Sequence, residues 1–205
     1  MTERQRDLLA GLLVGFVIGF LVGDARAQIP REAERYRRDL VANARAVWGL
    51  SAPVATFAAQ VHQESGWRPH ARSKYAAGLA QFTPATADWI GNIDPALAGA
   101  EVFNPGWALR ALVRYDRHLW ERTPAATACD RMAFALAGYN GGEGWIRREQ
   151  RAASSKGLDP QRWWAHVEAV CVRAAWACEE NRGYPQRILR ALEERYAAWG
   201  ARSCG

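Results

Sequence analysis

Past residue 28 no stretch alternates apolar and polar residues with period two for long enough to build a substantial sheet. The chain must therefore bury its apolar surface as helices, and its punctuation says where several begin. Thr83-Pro84, Asn104-Pro105 and Asp159-Pro160 each pair a capping side chain with a proline, which has no N–H to lose at a first helical turn. Ser51 is a candidate cap for the helix whose Val54, Phe57, Ala58 and Val61 fall at i, i+3, i+4 and i+7. Ala108, Leu112, Tyr115 and Leu119 form one stripe after Pro105, and Met132, Ala135, Leu136 and Tyr139 form another. A last helix is expected near 185–199, with Leu189, Leu192, Tyr196 and Trp199 inward. The class is mainly α.

Ahead of these helices, residues 8–23, "LLAGLLVGFVIGFLVG", carry no charge and are followed by "ARAQ", an A-x-A cleavage pattern. Sixteen helical residues rise about 24 Å, short of the roughly 30 Å hydrocarbon core. Gly11, Gly15, Gly19 and Gly23 share one helix face, the spacing that lets membrane helices approach closely. Residues 1–27 are therefore expected to be a signal peptide or signal-anchor helix, and 28–44 a charged helical lead-in. The arginines from Arg26 to Arg38 run against the positive-inside bias. Cys129, Cys171, Cys178 and Cys204 show no C-x-x-C metal spacing and, in an oxidising compartment, would form one or two bridges. The net charge of +6 suits an anionic partner, but the basic residues are interleaved with acids, which argues against nucleic acid. Ten tryptophans serve core packing, a sugar-stacking groove, or both.

Glu64 ends an apolar run in "QESGWRPHARS" and lies at the edge of the Val54–Val61 stripe. A carboxyl placed there is partly desolvated, which raises its pKa and keeps a proton available near neutrality. Gly66 lets the chain turn away, and Trp67 is a candidate wall for the site. Taken alone, the same pattern also describes a helix-terminal glutamate paired with Arg68 or Arg72.

The surrounding motifs favour the acid. "ESGWRPHARS" followed by "GLAQFTPATA", then "AGYNGGEG" and "ENRGYPQRIL", closely resembles the lytic transglycosylase catalytic domain of the lysozyme-like superfamily. The resemblance runs over roughly residues 45–195 and implies a catalytic domain at 45–205 with a substrate groove. It implies that Glu64 is the sole acid and base, with Ser65 beside its carboxyl and Ser73, Gln81, Tyr139, Asn140 and Tyr184 at the substrate. Three positions depart from the family pattern in the third motif, where Gly138 and Gly141 stand for alanines and Glu143 for a proline; in the second motif Ala80 replaces a methionine and is expected to widen the groove. Glu143 is either a solvated loop charge or a second carboxylate near Tyr139 and Asn140.

The implied reaction cleaves peptidoglycan between N-acetylmuramic acid and N-acetylglucosamine to a 1,6-anhydromuramyl product, with no metal or cofactor. The rivals are a muramidase using water through a second acid such as Glu143, with Asp88, Asp94 and Asp116 also open, and a non-catalytic cell-wall-binding module. The partners implied are glycan strands and, through residues 8–23, the inner membrane; the protein acts as a monomer, exported to the periplasmic side, for lysis as a phage endolysin or for wall remodelling. The family's tendency to place a loop before the closing tyrosine suggests a Cys171–Cys178 bridge, although an unbroken helix would hold those Cα atoms about 10 Å apart. That bridge requires the helix expected from Pro160 to break; Cys129 and Cys204 would pair or stay free.

Overall fold

The computed structural model describes residues 29–204, so residues 8–23 lie outside the described part. It is helical, and among the described residues extended structure is limited to the isolated bridges Arg72–Ala77 and Ala77–Phe82. The elements are α1 (Arg31–Trp48), α2 (Val54–Ser65), α3 (Pro84–Ile90), α4 (Pro105–Arg122), α5 (Ala128–Gly141), α6 (Glu143–Ser155) and α7 (Ala175–Gln186). No described helix is long and apolar enough to cross a membrane.

Helix α2 is the centre of the molecule. Eight consecutive residues, Val54 to Val61, are buried, so it has no solvent face until its last turn. An apolar helix of this kind must be wrapped on every side, and α1, α4 and the C-terminal segment wrap it. Ala55, Ala58 and Ala59 are small enough to let those neighbours close in. Ser51 does not cap it: α2 starts behind Pro53, and the Ala55 N–H is taken by the Ala201 carbonyl instead. Helix α1 is amphipathic, burying Ala33, Leu40 and Ala44 while its arginines face out.

Two of the three capped prolines start helices as expected. Thr83 accepts from Thr86 N–H, and Asn104 accepts from the N–H groups of Gly106 and Trp107. The third does not. After Asp159 the chain makes turns, with only a short 3₁₀ stretch (Val167–Ala169) before α7. Tertiary ties override the local signal here: Trp163 is buried edge-on to Phe134, its backbone N–H donates to Asp130 Oδ1, and Ala126 N–H donates to the Gln161 carbonyl. The missing helix leaves Cys171 and Cys178 within bridging distance, at Cα–Cα 5.8 Å. A second bridge joins Cys129 at the start of α5 to Cys204.

The final helical run is longer and less regular than its sequence suggests. Pro185 lies inside α7, where it removes an N–H from the ladder. The run then widens into a π turn (Arg187–Leu192) and tightens into 3₁₀ geometry (Glu193–Trp199) against α2. Trp67, expected in the groove wall, is fully buried in this region instead. Its indole N–H donates to the Tyr196 hydroxyl at 2.7 Å and packs against Trp199.

Candidate active site

Helix α2 surfaces at its C-terminal turn, and Glu64 sits there, half-buried. Gly66 caps the helix in the left-handed conformation at φ 58°, and Trp67 follows at φ 66°. Two successive left-handed residues turn the chain sharply and drive Trp67 back into the core, leaving the Glu64 side chain partly exposed at the end of α2. Tyr184, buried on α7, donates its hydroxyl to Glu64 Oε1. Burial raises the Glu64 pKa to about 7, against the opposing pull of that hydrogen bond. At neutral pH the carboxyl is thus poised to give and take a proton.

Tyrosines floor the site. The rings of Tyr139 and Tyr184 are stacked, 6.5 Å apart and 8° from parallel, and Tyr139 also meets Phe82 and Tyr115. Tyr139 donates to the Ala80 carbonyl at 2.7 Å, tying α5 to the loop after α2. That loop is tight. Gly78 has φ 81°, and a Cβ there would lie 1.8 Å from the Val102 carbonyl oxygen, so only glycine fits. Ala80 is fully buried, so its small side chain opens no space in the groove.

The other expected groove residues all make internal hydrogen bonds. Ser65 Oγ bonds to the Val61 carbonyl one turn back rather than to the Glu64 carboxyl, a common use of a helical serine. Gln81 Nε2 donates to the carbonyls of Ala71 and Gly78, so it braces the loop. Ser73 accepts from the N–H groups of Tyr75 and Ala76 and orders the exposed rim of a cavity of about 370 Å³ shared with Phe82 and Asp88. Asn140 is exposed, and its Oδ1 accepts from Asn181 Nδ2.

Asn181, inside the "ENRGYPQRIL" motif but given no role by it, and Arg173, outside every motif, both fix the site's far wall. Asn181, one turn before Tyr184, donates to the Ala137 carbonyl at 2.7 Å. Arg173, inside the Cys171–Cys178 loop, pairs with buried Glu149 and donates to the Gly141 carbonyl. A Cβ at Gly141 would stand 2.4 Å from Asn181 Nδ2 and 2.8 Å from Arg173 Nη1. The glycine at this departure from the family pattern is what admits both side chains.

The candidate second acids separate clearly. Glu143 opens α6, where a negative charge meets the helix dipole favourably. Burial would raise its pKa, but hydrogen bonds from Arg147 and Arg122 hold it below the ordinary range. It is an ion-paired helix start, neither a loop charge nor a poised base. Asp94 is likewise held down, against burial, by Arg110, the Ala96 N–H and Arg114. Asp88 is exposed on α3. Asp116 alone is fully buried without a cation. Among the described residues no three His, Cys, Asp or Glu side chains converge as metal ligands would.

Residues 42–161, more than half of the chain, match the Transglycosylase SLT domain family. The chain belongs to that family. The SLT domain here also resembles curated relatives described as membrane-bound lytic murein transglycosylase F. The Marinobacter nauticus protein is 37% identical over 132 residues, covering 62% of this chain and 25% of the relative. The Ectopseudomonas mendocina protein is 30% identical over 179 residues, covering 82% and 34%. The Vibrio cholerae protein is 35% identical over 108 residues, covering 52% and 19%. The SLT chain thus spans about a fifth to a third of the length of these relatives. Among solved structures, the 70 kDa soluble lytic transglycosylase of Escherichia coli shares the fold at TM-score 0.58 and 21% identity, over 82% of this chain and 25% of that one. The lysozyme-like architecture expected from the motifs is the architecture found.

Proposed function

We propose that residues 45–205 form a peptidoglycan lytic transglycosylase domain in which Glu64 is the sole acid and base. The observation that carries this reading is the Glu64 carboxyl, its pKa pushed up to about 7 and its Oε1 held by Tyr184, while Glu143 and Asp94 are neutralised by arginines. Most glycosidases need a second carboxylate at the reacting carbon. A lone acid suits an intramolecular route. Glu64 protonates the bridging oxygen between N-acetylmuramic acid and N-acetylglucosamine, and the bond to muramyl C1 breaks. The substrate's 2-acetamido group stabilises the positive charge at C1. Glu64, now a carboxylate, takes the proton of the muramyl 6-hydroxyl as that oxygen closes on C1. The products are a 1,6-anhydromuramyl end and a free 4-hydroxyl on N-acetylglucosamine, and Glu64 recovers its proton. No water is consumed.

Tyr139 and Tyr184 form the floor beneath the sugar at the cleavage point, and Asn140 and Ser73 contact the glycan from the exposed rims. The murein-directed relatives and the groove chemistry support export to the periplasmic side, with residues 1–27 as signal or anchor. The glycine-rich, weakly apolar 8–23 segment favours a releasable tether and hence a lysis enzyme over constitutive wall remodelling. Mass spectrometry of muropeptides released by the purified protein tests the chemistry: anhydromuramyl ends are expected. Reducing muramyl ends that carry heavy oxygen from labelled water would establish hydrolysis instead.

A further inference from the structure

Gln60 lies one helical turn before Glu64 on α2 and faces Asp116 on α4. Both side chains are wholly buried. Gln60 Nε2 donates to Asp116 Oδ1 at 3.3 Å, yet Gln60 Oε1 and Asp116 Oδ2 have no hydrogen-bond partner. Two buried orphan oxygens, one on each side of a single bond, are costly as they stand. An ionised Asp116 could not relieve the glutamine oxygen, since a carboxylate only accepts. The ionisable groups that face it are Glu64 on α2, Tyr115 beside it on α4, Tyr139 on α5 and Tyr184 on α7. None is cationic.

We infer that Asp116 and Gln60 form a closed acid–amide pair that positions Glu64. A proton on Asp116 Oδ2 donates to Gln60 Oε1 while Oδ1 continues to accept from Nε2, and both orphans are satisfied at once. Burial pushes the Asp116 carboxyl well above the usual range, opposed by the Gln60 bond and reinforced by Glu64. The pair has two consequences for the reaction proposed above, on which its functional meaning rests. It fixes the register of α2 against α4, so that Glu64 emerges opposite Tyr184. It also keeps a second negative charge from standing behind Glu64, whose proton affinity would otherwise climb out of the neutral range.

The protonation state is testable without activity. In protein labelled with ¹³C at aspartate carboxyls, the Asp116 signal is assigned by its disappearance in Asp116→Asn. We expect the shift of a neutral acid through pH 7; an ionised shift at pH 7 overturns the inference, whether or not the protein cleaves peptidoglycan. A neutral signal in a protein with no wall-cleaving activity would uphold the pair and overturn the proposed function. For the positioning role, Asp116→Ala should lower kcat about tenfold with KM little changed and displace the basic limb of the pH–rate profile. Asp116→Asn, whose amide supplies the same donor and acceptor permanently, should restore both. An asparagine variant as impaired as the alanine one, with its fold intact, would overturn the positioning role.

Discussion

Tyr184 in α7 reaches Glu64 in the last turn of α2 across 120 positions of sequence, and its hydroxyl donates to the carboxyl. The two residues belong to elements held in place by different means. Helix α2 is fixed by burial on nearly every side, whereas α7 is tethered at its start by the Cys171–Cys178 bridge and by Arg173 and Asn181. The site therefore depends on both the core and a stapled loop.

Glu64→Gln should abolish clearing of purified cell walls, because the amide cannot donate a proton of the needed acidity. It should also stabilise the protein at alkaline pH. The folded-state pKa of about 7 lies above the ordinary 4.5, so Glu64's contribution is fully present below about pH 4.5 and is lost as pH rises through 7. The loss amounts to at most about 3 kcal/mol. The excess Tm of the variant over the parent should therefore grow between pH 4.5 and 7 and then level off; a constant difference would place the site in water.

Tyr184→Phe removes a hydrogen bond that favours the charged carboxylate. The Glu64 pKa should rise further, and the basic limb of the pH–rate profile should move to higher pH. A bond of this kind is worth roughly 10- to 100-fold in rate if it strengthens during proton transfer. A downward move of the basic limb would mean that the hydroxyl does not donate to Glu64.

Glu143→Gln should retain wall-clearing activity, since Arg122 and Arg147 hold that carboxyl as the first residue of α6. Its cost should be under about 1 kcal/mol in thermal stability, as for other partly exposed ion pairs. Loss of activity with an intact fold would favour a water-using muramidase.

The two bridges should separate stability from activity. Cys129–Cys204 closes 75 positions and Cys171–Cys178 only 7. Chain-entropy arithmetic assigns them about 4.5 and about 2.4 kcal/mol. Replacing the first pair with serine should lower Tm more; replacing the second should lower kcat more, because its loop carries Arg173 and leads into Asn181 and Tyr184. Equal effects of both pairs on kcat would show that the short bridge does not serve the site.

The sequence pattern singles out Glu64 and Tyr184, which the fold brings into hydrogen-bond contact, because each sits in a motif whose neighbours fix the backbone. Ser65, Ser73 and Gln81 were legible as positions but not as contacts. A hydroxyl or amide beside several backbone carbonyls takes whichever partner the turn geometry offers, and spacing does not encode that choice. Asn181 lies in the closing-tyrosine motif without a role that its position announces, and Arg173 lies in no motif, its place following only from the bridge. Gln60 was hidden inside an alanine-rich run, and Asp116 stood among three aspartates that no motif placed; nothing short of their juxtaposition across α2 and α4 distinguishes them. The helix expected from Pro160 failed because Trp163 gains more from the core than the segment gains from helical hydrogen bonds. Helix α6 carried no such signal in advance, as its buried edge of Ile146, Glu149 and Ala153 is narrow and includes a charged residue, while the arginines of "RREQR" face outward.

The crowding around Gly141 also bears on how this domain tolerates engineering. Restoring a family's commonest residue at each unusual position is a frequent route to added stability. Gly138 and Gly141 both stand where alanine is usual, three residues apart on one helix, and their prospects are opposite. An alanine at 138 would meet Leu119 Cδ2 at 3.4 Å and Cδ1 at 3.7 Å and Glu143 Cα at 3.9 Å, ordinary contacts, and would remove a glycine from a helix interior. At 141 the same methyl would displace the guanidinium of Arg173 and the amide of Asn181 together. Positions 141, 173 and 181 thus form one epistatic unit: a sequence swapped in at any one of them must bring the other two along.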